Sequence, residues 1–104
     1  MREVDQYQLW TRETARYPSE IYAVLGLAEE AGEVAGKYAK YVRDGWTEDK
    51  LRMALLAELG DVVWMVARVA DDYGILFSEI VDNNQTKLRS RVARNTINGE
   101  GDDR

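Results

Sequence analysis

The sequence predicts an all-α protein built from four helices. Proline occurs once in the 104 residues, at Pro18, and helix-favouring residues predominate between a few breaking signals. Apolar residues make up 45% of the chain, which argues against a disordered protein. We expect residues 1–104 to form one domain, an antiparallel four-helix bundle with a short polar tail over residues 92–104.

Residues that end or begin helices separate the four segments. We predict helices over about residues 4–17, 20–43, 48–72 and 78–91. Proline or glycine lies in each connection, and Thr47 in the second connection is a favourable N-cap. The stretch after the fourth segment is polar and contains glycines, so we expect a flexible tail.

The second and third segments each carry a stripe of residues at alternating three- and four-residue steps, which places the stripe on one helix face. The stripes comprise Ala23, Leu27, Glu30, Val34, Lys37 and Tyr41, and then Leu51, Leu55, Glu58, Val62, Met65 and Val69. The third segment is apolar on another flank as well, around Leu56, Leu59 and Val63. Because one small bundle cannot cover such a helix, we expect the chain to self-associate.

The composition restricts the chemistry available to this chain. It contains no cysteine and no histidine, which excludes disulfides, structural zinc, a cysteine nucleophile and histidine-based triads. Any metal must be held by oxygen ligands, which suit Mg²⁺, Mn²⁺ or Ca²⁺. A net charge of −5 disfavours binding to a nucleic-acid polymer. Without a signal peptide or a long apolar run we expect a cytoplasmic protein with no membrane partner.

Two carboxylates occupy positions where apolar residues are expected. Glu30 and Glu58 lie within the stripes, where desolvation of a lone charge would be costly. Each has an acidic companion three residues later, Glu33 and Asp61, on the same side of its helix. If the two helices pack antiparallel, the four acids converge, and Mg²⁺ or Mn²⁺ would relieve their repulsion. Glu29 lies off the stripe and is expected at the surface.

The order of these motifs resembles the MazG-like all-α nucleoside triphosphate pyrophosphohydrolases. Glu30-x-x-Glu33 is followed, about one helical hairpin later, by Glu58-x-x-Asp61. The Tyr-Gln pair near the amino terminus, the Arg-Asp-Gly turn, the Lys-Leu-x-x-Arg segment over residues 87–91 and the glycine-containing tail also match. Asn95 departs from this pattern, since relatives often have glycine before the tail, but asparagine tolerates the left-handed conformation.

The resemblance implies a reaction, a cofactor and a set of site residues. The reaction is hydrolysis of a nucleoside triphosphate to the monophosphate and pyrophosphate, by a homodimer or a dimer of dimers that uses Mg²⁺ and often accepts Mn²⁺. The implied metal ligands and catalytic residues are Glu30, Glu33, Glu58 and Asp61, and the implied substrate-binding residues are Asn84, Lys87, Arg91, Arg94 and Arg104. Tyr7, Trp10 and Trp46 are candidates for stacking on the base, and Gln8 for reading its edge.

Three points stay open at this stage. Either Glu33 or Glu30 could orient the attacking water. The same stripes and acids would also suit a non-catalytic helical interaction module with a solvated acidic rim, or a phosphoribosyl-ATP pyrophosphohydrolase, which shares the fold and the acid pairs. The sequence does not identify the base or the sugar of the substrate.

Overall fold

A computed structural model of the chain describes residues 2–95, 97–99 and 101–102. Its helices are α1 (Glu3–Thr11), α2 (Glu20–Asp44), α3 (Glu48–Asp72) and α4 (Phe77–Ala93), and a 3-10 turn over Arg12–Thr14 follows α1. These described residues contain no β-strand. The predicted all-α class and its four helices are therefore confirmed. Within the same residues, no helix has both the length and the apolar character needed to cross a bilayer.

The boundaries of α2 and α3 follow the local signals in the sequence. Gly45 ends α2 with a φ of 66°, in the left-handed region that glycine adopts readily. The Thr47 hydroxyl accepts a hydrogen bond of 3.2 Å from the backbone N–H of Lys50 and so caps the start of α3. The connection between the two helices is short, and they pack directly against each other.

The first helix is shorter than predicted, because it ends at Thr11 rather than near Tyr17. The backbone beyond the 3-10 turn is extended at Ala15, and residues before a proline disfavour the helical conformation. Contacts with α3 hold this stretch in place: Trp64 Nε1 donates a hydrogen bond to Thr14 Oγ1 at 2.9 Å, and the Tyr17 hydroxyl donates one to Asp72 at 2.8 Å. Tertiary contacts here outweigh the helix propensity of the segment.

The two long helices α2 and α3 run in opposite directions along a shared face. Gly26 near the start of α2 lies against Met65 near the end of α3, and Lys37 further along α2 pairs with Glu58. A Cβ atom at Gly26 would lie 2.7 Å from Met65 Cε, so glycine permits this close approach. All residues of the two predicted stripes are buried or half-buried, which confirms that the stripes form the contact.

Helix α1 packs against α3 and α4 and holds the start of α4. The Asp5 carboxylate accepts a hydrogen bond of 2.9 Å from the backbone N–H of Ser78, and Gln8 Oε1 accepts one of 3.0 Å from that of Phe77. The Gln8 amide nitrogen donates to the carbonyl oxygen of Ile75 at 2.8 Å. Gln8 is 4% exposed and engaged within the protein, so the hypothesis that it reads a base edge is wrong.

A single chain leaves much of its apolar surface uncovered. Among the described residues, the buried apolar set is small: Ala23, Met65, Ala67 and Ala70. Large side chains on α2 and α3 remain exposed, such as Leu25 at 65% and Leu56 at 68%. The radius of gyration is 16.5 Å, whereas a compact domain of this length would have about 13 Å. The closed four-helix bundle and the oligomer therefore stay predictions.

Candidate metal centre

Three acidic side chains converge between α2 and α3. Glu30 comes from α2, whereas Glu58 and Asp61 come from successive turns of α3. One carboxylate oxygen from each lies within 4.8 Å of the others. Glu30 and Glu58 are half-buried and Asp61 is exposed, so the group opens to solvent on one side. Antiparallel packing of the two stripes produces this arrangement, as the sequence predicted.

Glu33, the fourth predicted ligand, is near Glu30, whose pKa its charge helps to raise, but it is not part of this converging group. It is exposed on the next turn of α2 and does not belong to the group whose oxygens converge. The structure thus brings three of the four predicted ligands together. Glu29 is exposed, as expected for a residue off the stripe.

The electrostatics of the group favour a bound cation. Partial burial of Glu30, together with the negative charges of Asp61 and Glu58, raises the pKa of its carboxyl group above the usual 4.5. Lys37 lies with its Nζ 3.7 Å from Glu58 Oε1 and offsets part of this charge. Lys37 thus pairs across the helices rather than with Glu33 on its own helix. The group has three carboxylates and only one ammonium close by. Its carboxylate oxygens are the kind of ligand that a divalent cation such as Mg²⁺ prefers.

Two aromatic residues of α1, Tyr7 and Trp10, are candidates for contact with the base. Burial raises the pKa of the Tyr7 phenol, and the negative charge of Asp61 raises it further. The Trp10 ring centroid is 5.9 Å from that of Tyr7, and Trp10 is 51% exposed. Trp46 lies in the α2–α3 connection, where the Lys50 ammonium sits 4.6 Å from its ring centroid.

The polar residues predicted on the last helix occupy different environments. Asn84 and Lys87 line a surface groove of about 480 Å³ on α4. Arg91 is buried, and its Nη2 donates to the carbonyl oxygen of Asp102 at 3.0 Å. Arg94 is exposed and donates from Nε to Ser90 Oγ at 3.0 Å. Arg104 lies outside the described residues.

Comparison with known proteins shows the family to which the chain belongs. Residues 19–94 match the family model described as the MazG nucleotide pyrophosphohydrolase domain. The chain belongs to this family. It is also 40% identical over 112 aligned residues to the Gene 37 protein of Mycobacterium phage L5, an alignment that covers 97% of this chain and 98% of that protein. No solved structure matches the chain at a significant level.

The MazG domain also contains a buried cation that the sequence analysis did not single out. The Arg68 guanidinium on α3 donates to Asp71 Oδ2 at 2.7 Å and to Asp72 Oδ1 at 3.1 Å. It also donates to the Tyr17 hydroxyl at 3.0 Å and to Thr11 Oγ1 at 3.3 Å. Arg68 is 5% exposed and thus ties the segment before α2 to the end of α3. Within its own helix the sequence carries no local signal for this burial.

Proposed function

We propose that this MazG domain hydrolyses a nucleoside triphosphate to the nucleoside monophosphate and pyrophosphate. The observation that carries the proposal is the convergence of Glu30, Glu58 and Asp61 between α2 and α3. These three carboxylates would hold Mg²⁺, or Mn²⁺ in its place, since both prefer oxygen ligands. Once bound, the cation neutralises charge on the phosphate oxygens as it builds up during the reaction.

Residues around the three acids would orient the attacking water and bind the base. Glu33 is exposed one turn beyond Glu30 and outside the converging group, which leaves its carboxylate available to orient a water and accept its proton. This favours Glu33 over Glu30 for that role. The overall reaction adds one water across the bond between the α and β phosphates. The exposed Trp10, whose ring centroid is 5.9 Å from that of Tyr7, is the candidate surface for the base.

The substrate carries about four negative charges, and an acidic protein needs cations of its own to bind it. Lys87 and Arg91 lie one turn apart on α4. Asn84 lies one turn before Lys87, and these two residues line the same groove. We propose that this face of α4 binds the phosphates and the sugar, with Arg94 and Arg104 as further contacts.

We also propose that the working form is a homodimer or a dimer of dimers. The supporting observation is the apolar surface that one chain leaves exposed on α2 and α3, including Leu25 and Leu56. A four-helix bundle with a closed core would then be completed by helices of a second copy.

A panel of ribo-, deoxyribo- and modified triphosphates, with phosphoribosyl-ATP included, tests the reaction in the presence of Mg²⁺. Anion-exchange analysis should show monophosphate and pyrophosphate as the primary products. Glu58→Gln should reduce turnover by about 100-fold or more, because it removes one ligand of the ion. Glu29→Gln is the matched control, and we expect near-normal turnover. Diphosphate and orthophosphate as primary products, or full activity of Glu58→Gln, would contradict the proposal.

A further inference from the structure

The chain after α4 turns back and places an acidic side chain on that helix. Asn95 adopts a φ of 58° directly after the helix and so reverses the chain. The Asp102 carboxylate then lies 3.1 Å from Lys87 Nζ and 3.4 Å from Arg91 Nη2. The same Nη2 donates to the backbone carbonyl oxygens of Asp102, at 3.0 Å, and Gly101, at 3.5 Å.

The burial of these groups is unequal. The Asp102 side chain is 82% exposed, whereas the Arg91 side chain is 4% exposed. Arg91 Nε is buried and has no hydrogen-bond acceptor among the residues that the structure describes. A buried guanidinium donor without an acceptor is unusual, because its desolvation is not repaid by a hydrogen bond. The contact with the tail therefore leaves one donor of Arg91, Nε, without a hydrogen bond.

The groove on α4 reaches one of these two cations, Lys87. Lys87 both lines the groove of about 480 Å³ and holds the Asp102 carboxylate. Ligand pockets of a few hundred Å³ are typical for small molecules. A ligand that lay in this groove with its anionic end at Lys87 would meet Asp102 at that position.

We propose that Asp102 is an internal competitor for phosphate: its carboxylate occupies the anion site formed by Lys87 and Arg91, and a phosphate group must displace it to bind there. The inference rests on the proposed function for the nature of the incoming anion. A phosphate group offers more negative charge and more acceptor oxygens than one carboxylate, so it competes with Asp102 for Lys87 Nζ and Arg91 Nη2. The docked tail lowers the apparent affinity by the fraction of molecules in which the site is filled.

Titration calorimetry of inorganic pyrophosphate binding to the full chain, in EDTA, tests the competition without turnover. Asp102→Asn should bind pyrophosphate about 3- to 10-fold more tightly than the unmodified chain, because the site is then less often filled. Lys87→Gln should bind it more weakly. Asp82→Asn is the matched control: it removes the same charge from α4, where Asp82 pairs with Arg2 instead. We expect its affinity to be unchanged.

Hydrogen exchange of residues 97–102 distinguishes competition from closure over the ligand. Under the proposal, pyrophosphate increases exchange in the tail, because the tail is displaced. The proposal is overturned if Asp102→Asn binds pyrophosphate no more tightly than the unmodified chain, if no variant binds it, or if the ligand protects the tail. Failure of the proposed function would look different: no triphosphate would be hydrolysed, while Asp102→Asn would still bind pyrophosphate more tightly.

Discussion

Replacing Glu30 by glutamine should stabilise the protein when no metal is present. Its carboxylate oxygen lies within 4.8 Å of oxygens from Glu58 and Asp61. Two unit charges at that distance repel by about 1 kcal/mol at the dielectric constant of water and by about 3.5 kcal/mol at a value of 20. Glu30 is half-buried, and Lys37 offsets part of the charge on Glu58. We therefore expect Glu30→Gln to raise the free energy of unfolding in EDTA at pH 7 by about 1–2 kcal/mol.

The pH dependence of this difference follows from the raised pKa of Glu30. An acid whose pKa is higher in the folded than in the unfolded chain destabilises the fold when it is ionised. The advantage of Glu30→Gln should thus be complete above the raised pKa and should disappear as the pH falls below the usual value of 4.5. Glutamine and glutamate have similar helix propensities, so the change in charge dominates the comparison.

Chemical unfolding at one fixed protein concentration, in EDTA and in excess Mg²⁺, measures both effects. Excess Mg²⁺ should stabilise the unmodified chain by mass action and should stabilise Glu30→Gln much less. Glu29→Gln loses the same charge from the exposed face of α2, and its stability should change by less than about 0.5 kcal/mol. A Glu30→Gln variant that was no more stable in EDTA, or that kept the full response to Mg²⁺, would refute the reasoning.

Two further substitutions test the ion pairs. Lys37→Met removes the ammonium 3.7 Å from Glu58, so we expect the free energy of unfolding in EDTA to fall by about 0.5–1 kcal/mol. Half-maximal stabilisation should then need a lower Mg²⁺ concentration. Thermal melts across a Mg²⁺ titration measure both shifts, and neither would occur if Lys37 were a solvated surface residue. Hydrogen bonds from Arg12, reinforced by Arg68, lower the pKa of Asp71 from 3.8 to about 2. Asp71 therefore stabilises the fold at neutral pH, and this contribution is lost as the pH falls from about 4 to about 2. Asp71→Asn should cost about 2 kcal/mol at pH 7 and almost nothing at pH 2 in urea unfolding, and equal losses at both pH values would contradict this origin.

The central helices and their acids were predictable because their signals are local. The alternating spacing of the stripes fixes which face of each helix is covered, and Gly45 and Thr47 mark the ends that face each other. Once the two helices are taken to pack antiparallel, the spacing alone predicts that Glu30 lies opposite the acids of α3. Glu33 follows the same spacing rule as Asp61, so the sequence could not show that its oxygens do not join those of the other three.

The features that escaped prediction depend on contacts between distant parts of the chain. Gln8 and Arg68 resemble surface residues within their own helices, and their burial arises from partners on other elements. The early end of α1 has the same cause, since Thr14 and Tyr17 bond to α3. Periodicity describes one helix at a time and contains no information about such partners.

The buried arginine of α3 links the family region to the segment before it. The family match begins at residue 19, so Arg68 lies inside the matched region while Thr11 and Tyr17 lie before it. Asp71 and Asp72, also inside the matched region, pair with the guanidinium, and the two hydroxyls accept its further hydrogen bonds. Residues 19–94 expressed alone would keep both ion pairs of Arg68 but lack these two acceptors. The folded unit therefore begins before the region that the family model matches.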